Sequence, residues 1–182
     1  MRIAKFSDLE NINNIIEKAK ASLKNDGVDQ WQKGSPDTAL LAREISRSSA
    51  YVYELDGEIV AFAYLSEDFE PTYTSVMKDS KANNPITVHT FCVDSNLGKK
   101  GIATRFFGEI IEFAESENRD AIRIDTHKDN FKMRGLIEKL GFFYLGIIYI
   151  DDNGTIMPRF AYELLLCLLY TSDAADDTPC VD

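Results

Sequence analysis

The stretch LGKKGIAT, residues 97–104, sets Gly98 and Gly101 around Lys99 and Lys100, between an apolar run and a long amphipathic segment. Glycines at a strand-to-helix turn let the backbone come close to a ligand. A helix N-terminus there offers free N–H groups and the positive end of the helix dipole, a combination suited to phosphate. The stretch therefore predicts a phosphate cradle. It lacks the spacing and the Ser/Thr of a P-loop, which argues against that kind of nucleotide site. The two histidines, His89 and His127, are the side chains that titrate near neutral pH and could carry a proton.

The elements that must hold these residues follow from periodicity. Residues 2–6 read as a short strand. Ser7 and Glu10 read as a capping box opening a helix with Ile12, Ile15, Ile16, Ala19 and Leu23 on one face, closed by Gly27. Ser35 and Pro36 read as the start of a second helix, with Leu40, Leu41 and Ile45 as its apolar side. AYVYEL and IVAFAYL flank DGE as a hairpin, and the polar residues 66–85 read as a long surface loop. ITVHTFCV, residues 86–93, reads as a buried strand. A helix follows over 101–117, then a strand over 121–127 and a helix over 130–140 closed by Gly141, before a final strand pair. The order β-α-α-β-β-β-α-β-α-β-β implies a layered α/β (α+β) domain.

A chain of 182 residues with 45% apolar and 27% charged residues suits one domain with a real core. No apolar run approaches the ~20 residues of a membrane span, and the start, MRIAKFSDLE, has no secretory apolar core, so the expected location is cytoplasmic, away from membranes. The last sixteen residues stand apart: 167–176, CLLYTSDAAD, resemble a translated sequencing-adapter read-through. Residues 167–182 are therefore expected to be an artefactual tail, leaving one domain over 1–166. The tail holds four Asp and no Lys or Arg, so the net charge of −10 falls to −6 without it. It also holds Cys167 and Cys180. Only Cys92 then remains, which argues against a disulfide framework and suits a reducing compartment. The acidic balance argues against nucleic acid as a partner and is compatible with a cationic substrate.

With this element order, VDSNLGKKGIA at 93–103 and NFKMRGLIEKLGF at 130–142 resemble the GNAT N-acetyltransferase superfamily over roughly residues 1–166. DGVDQWQKGSP, RIDTHKDN and LGIIYI look like a group of such proteins common in Firmicutes. The resemblance implies a mixed central sheet with helices on both faces, acetyl-CoA as co-substrate, no metal, and an acceptor that is a small-molecule amine or a peptide N-terminus. It places the pyrophosphate on Gly98, Lys99, Lys100, Gly101, Ile102 and Ala103, the pantetheine along Phe91, Cys92 and Val93, and the coenzyme arm near Asn130 and Met133. Gly98 stands where the superfamily uses Gln or Arg. Asn130 also suits a helix N-cap, and Cys92 suits a small core residue better than a nucleophile.

Direct transfer needs a base for the acceptor amine and an acid for the leaving thiolate. The superfamily's usual tyrosine falls on Ile137, so the acid is sought in Tyr149 or Tyr144 on the next strand. His89 is the expected base, and His127 is expected to orient the loop before Asn130. The loop that lines the acceptor pocket in such proteins contains Asp29, Gln30, Trp31 and Gln32, with Tyr73 on the opposite wall. The chain is expected to be a monomer or a homodimer. Because Gly98 and Ile137 depart from the pattern, an acyl-CoA-binding module with weak or no catalysis stays open as a second reading.

Overall fold

A computed structural model describes residues 1–97 and 100–166. Gly98, Lys99 and the expected tail at 167–182 lie outside the described residues. The elements run β1 (Arg2–Ile3), α1 (Leu9–Asn25), α2 (Thr38–Ser46), β2 (Ala50–Leu55), β3 (Glu58–Ser66), β4 (Pro85–Val93), α3 (Ile102–Ser116), β5 (Ala121–Thr126), α4 (Phe131–Lys139), β6 (Phe143–Asp152) and β7 (Thr155–Leu165). That is the predicted order. The strands form one sheet, β1-β2-β3-β4-β5-β7-β6, in which β4 and β5 run parallel and the other neighbours antiparallel.

Alternation along β3 decides which helices cover which face. Phe62 and Tyr64 pack with Ile12, Ile15 and Ile16 of α1 and Leu41 and Ile45 of α2. Ala61, Ala63 and Leu65 point the other way, against Phe106, Phe107 and Ile110 of α3 and Ile137 of α4. The hairpin between β2 and β3 turns on Asp56 and Gly57, both with positive φ, as an Asp-Gly pair favours.

Two helix starts differ from expectation. Asp8, not Ser7, organises the entry to α1: it accepts from the backbone N–H of Lys5 at 2.8 Å and from Arg2 at 2.7 Å. The cap of α2 is Asp37, which accepts from the Leu40 N–H at 2.8 Å, two residues after Ser35. At α2 the aspartate takes the free N–H that a serine would otherwise cap, whereas Asp8 fixes the entry to α1 through Arg2 and the Lys5 N–H and caps no N–H of that helix.

The expected surface loop is also different. Residues Pro71–Asp79 form a 3-10 segment that buries Tyr73 and Val76 against Leu145 and Ile148 of β6 and Ala161 of β7. Its fit depends on Gly146, whose φ is +152° and where an added Cβ would stand 2.7 Å from Val76 Cγ1. Gly146→Ala is expected to cost about 1–3 kcal/mol in chemical denaturation, through overpacking and backbone strain. An unchanged midpoint would mean that this segment is not anchored at Val76.

Two irregularities in β4 shape the interior. Its pairing with β5 covers only Pro85 to Val88 against Ala121 to Ile124, after which the strands part while β4 stays paired with β3. At the parting, three steps on β4, from His89 to Cys92, oppose two on β3, from Tyr64 to Phe62, and Thr90 takes φ +51°. This is a β-bulge. Because of it, His89 stacks on Tyr64 and Cys92 packs with the α1/α2 core, whereas Phe91 stacks on Phe106 of α3.

Candidate active site

The space between the parted ends of β4 and β5 opens into a cleft of about 970 Å³. In open α/β sheets, ligands bind beyond the carboxyl ends of strands at such a point. Most of the residues singled out from the sequence meet there. Trp31, His89, Phe91, Cys92, Val93, Lys100, Gly101, Ile102, Ala103, Asn130 and Met133 all line it.

One end of the cleft is built by the α3 N-terminus. Gly101 caps the helix in a left-handed conformation, φ +71°, and no atom lies within 4 Å of where its Cβ would be. The first helical bond runs from the Arg105 N–H to the Gly101 carbonyl at 3.0 Å. The N–H groups of residues 102–104 are therefore left for a ligand. β4 adds backbone groups along the edge it no longer shares with β5. Across from them, Asn130 caps α4, accepting from the Met133 N–H at 3.1 Å. Asn130 also donates to Gln30 Oε1 at 3.1 Å, an oxygen that accepts from Thr126 Oγ1 and the His127 N–H as well, each at 3.2 Å. Gln30 is thus a clamp between the α1–α2 loop and the turn before α4. His127 accepts from the Asp129 N–H through Nδ1 at 3.2 Å, which fits its expected role in shaping that turn.

The opposite end is acidic and faces α1 and α2. His89 Nε2 lies 2.9 Å from Glu70 Oε1. Pro71 keeps Glu70 extended, φ −100° and ψ 97°, at the head of the 3-10 segment. The His89 hydrogen bond outweighs burial and holds the Glu70 carboxyl below its usual range, so Glu70 is ionised and accepts only. Nε2 therefore carries the hydrogen, leaving Nδ1 with a free lone pair. Burial works against a charged imidazole, but the Glu70 hydrogen bond and the nearby Asp125, Glu70 and Glu44 carboxylates outweigh it and set the His89 pKa above its ordinary value.

Three carboxyls that the sequence reading did not select join His89. Glu44 is buried, accepts from Thr90 Oγ1 at 2.9 Å, and is pushed up to about 7, chiefly by desolvation. Asp125 accepts from Tyr73 Oη at 3.3 Å and is raised by burial. Glu70 is the third. Glu44 left a signal in the sequence: it sits on the same helical face as Leu41 and Ile45, a carboxyl on an apolar stripe.

Several expected residues lie elsewhere. Tyr149 is 60% exposed and outside the cleft lining. Its neighbour Ile150 lines the cleft, so alternation turns Tyr149 to the other side of β6. Tyr144 packs on Phe160 and Tyr162, also away from the cleft. Asp29 is exposed and outside the lining. Tyr73 is fully buried behind Asp125 and supports that carboxyl rather than forming a wall. Ile137 is wholly in the α3/α4 core. Cys92 is buried and its thiol pKa is driven up by desolvation, which makes it inert as a nucleophile. Among the described residues Tyr64 is the one tyrosine lining the cleft, and its hydroxyl meets Arg47 at 3.3 Å.

Residues 13–142 match the model of the Acetyltransferase (GNAT) family. The chain belongs to that family. Its sequence has no match among curated proteins. The fold is similar to that of a GNAT family acetyltransferase from Streptococcus agalactiae 2603, at 25% identity and TM-score 0.78, covering 91% of this chain and 94% of that one. It is also similar to a GNAT family acetyltransferase from Listeria monocytogenes 4b F2365, at 17% identity and TM-score 0.70, over 91% and 93% of the two chains. A third likeness is to yncA from Salmonella typhimurium, whose structure was determined with its cofactor acetyl-CoA, at 16% identity and TM-score 0.65, over 98% and 97%.

This GNAT protein is an acetyl-CoA-dependent N-acetyltransferase. The open approach to Gly101 and the free N–H groups of the α3 turn fit a pyrophosphate, with Lys100 adding charge. Among the described residues no group of three or more His, Cys, Asp or Glu side chains is placed to hold a metal ion, and no described helix is long and apolar enough to cross a membrane.

Proposed function

We propose that this acetyltransferase moves the acetyl group directly to a primary amine of a small molecule or peptide, with His89 as the base. When bound, acetyl-CoA would supply a thioester whose acetyl carbon forms the new C–N bond as its C–S bond breaks, the coenzyme leaving as a thiolate that takes up the second proton shed by the nitrogen. The α3 turn, Asn130 and the free edge of β4 hold the donor on one face of the sheet. His89 stands on the other face, and the gap between β4 and β5 joins the two. Its Nδ1 takes the proton from the acceptor ammonium, and Glu70 fixes the imidazole through Nε2 while stabilising the imidazolium that results. The observation that carries this reading is the 2.9 Å contact between His89 and an ionised Glu70 on the acceptor side of the gap.

Thiol release from acetyl-CoA, followed across a panel of primary amines and peptide N-termini, tests it. Release is expected to depend on the amine, with an acetylated amine as product. If acetyl-CoA binds and no amine accelerates release, the protein is an acyl-CoA-binding module instead.

A further inference from the structure

We infer that the acceptor side of the cleft is built for a dication, a small di- or polyamine whose two ammonium groups are matched by Glu44 and Asp125. The inference deepens the amine reading above and rests on it. The charges on this side pair off unevenly. Glu70 is taken by His89 at 2.9 Å, and Asp152 is faced by Arg159 at 3.8 Å. Among the described residues, neither Glu44 nor Asp125 has a cation within 4 Å. His89 acts on both, and Arg43 on Glu44 and Arg159 on Asp125, only through longer-range attraction.

Glu44 is buried and Asp125 partly so; both line the same cleft as His89, and both act on its charge. Glu44 supplies the independent sign of a ligand. It is 5% exposed and lines the cleft, and while Oε1 accepts from Thr90, Oε2 is buried with no hydrogen-bond partner. A buried carboxylate oxygen without a donor is costly, and an ammonium group is the donor that satisfies its charge and its lone pairs together. A monoamine satisfies one of the two carboxylates, and an amino acid brings a third carboxylate into the cluster. A diamine satisfies both.

The test compares 1,4-diaminobutane, 1-aminobutane and 4-aminobutanoate as acceptors and, separately, as ligands measured by calorimetry in the absence of acetyl-CoA. The diamine is expected to exceed the monoamine in kcat/KM and in affinity by at least tenfold, and the amino acid is expected to be the poorest. Glu44→Gln, and in parallel Asp125→Asn, should shrink the diamine-to-monoamine ratio by about tenfold, with folding verified by circular dichroism. Amines acetylated with no preference for the diamine, or a ratio unmoved by both folded variants, would overturn the dication site and leave the amine reading standing. A diamine that binds in a Glu44-dependent manner without being acetylated would support the site and overturn the amine reading.

Discussion

Replacing His89 by alanine lowers kcat by about a hundredfold or more at neutral pH and leaves acetyl-CoA affinity nearly unchanged, because general-base catalysis contributes about 10²–10⁴-fold and the imidazole touches the acceptor rather than the donor. The pH profile separates this from a merely structural loss. The wild-type rate falls on acidification as His89 takes up a proton, and that limb lies above the ordinary histidine value because the Glu70 hydrogen bond and the charges of Asp125, Glu70 and Glu44 outweigh burial. Glu70→Gln removes the charge that raises the pKa and leaves only a weaker, neutral acceptor, while burial, which lowers it, remains; the acid limb therefore moves to lower pH. His89→Ala loses the limb altogether. The check is kcat against pH for the three proteins, with folded fraction followed by circular dichroism. An acid limb unchanged in His89→Ala would transfer the proton step to water or to the acceptor and return His89 to a packing role against Tyr64.

Gly101→Val is expected to abolish acetyl-CoA binding in a protein that still folds. The two effects differ in size for a physical reason. A left-handed residue with a side chain costs roughly 1–2 kcal/mol, a modest share of the ~5–15 kcal/mol that holds a domain together. The new Cβ meets no atom within 4 Å, so no core contact is lost. The side chain instead occupies the approach to the free N–H groups at the head of α3. Gly101→Ala introduces the strain with less bulk and should fall between the two. Calorimetry with acetyl-CoA reads the binding and thermal unfolding reads the fold. Valine at this position with affinity retained would mean that the turn is not the phosphate cradle.

The element order was legible because each helix and strand carries its own period, and the Asp56-Gly57 turn and the Gly141 stop act within a few residues of their signals. Errors arose where several residues compete for one local role. Asp8 and Asp37 displaced Ser7 and Ser35 as organisers of helix starts because Arg2 holds Asp8 in place and the chain path brings Asp37 to the Leu40 N–H. The 3-10 segment around Tyr73 and Val76 was hidden in a polar stretch, since its two buried side chains find partners on β6 and β7, far along the chain. The Gly101 turn and the Asn130 cap at one end of the cleft were readable, because both signals are local. The acidic end was not, because Glu44, Glu70 and Asp125 come from three elements and only the sheet brings them to His89.

The extra residue at Thr90 acts as a change of parity within a single strand. Upstream of it, the odd-numbered His89 lies on the Tyr64 face, where we place the acceptor; downstream, the odd-numbered Phe91 and Val93 lie on the α3 face, where we place the donor. One strand thus carries two functions on opposite faces without either constraining the other's side chains. Changes in α2 or in the segment after β3 can retune acceptor choice while the grip on acetyl-CoA is inherited intact. The bulge is therefore the point at which this domain's two specificities are kept separately heritable.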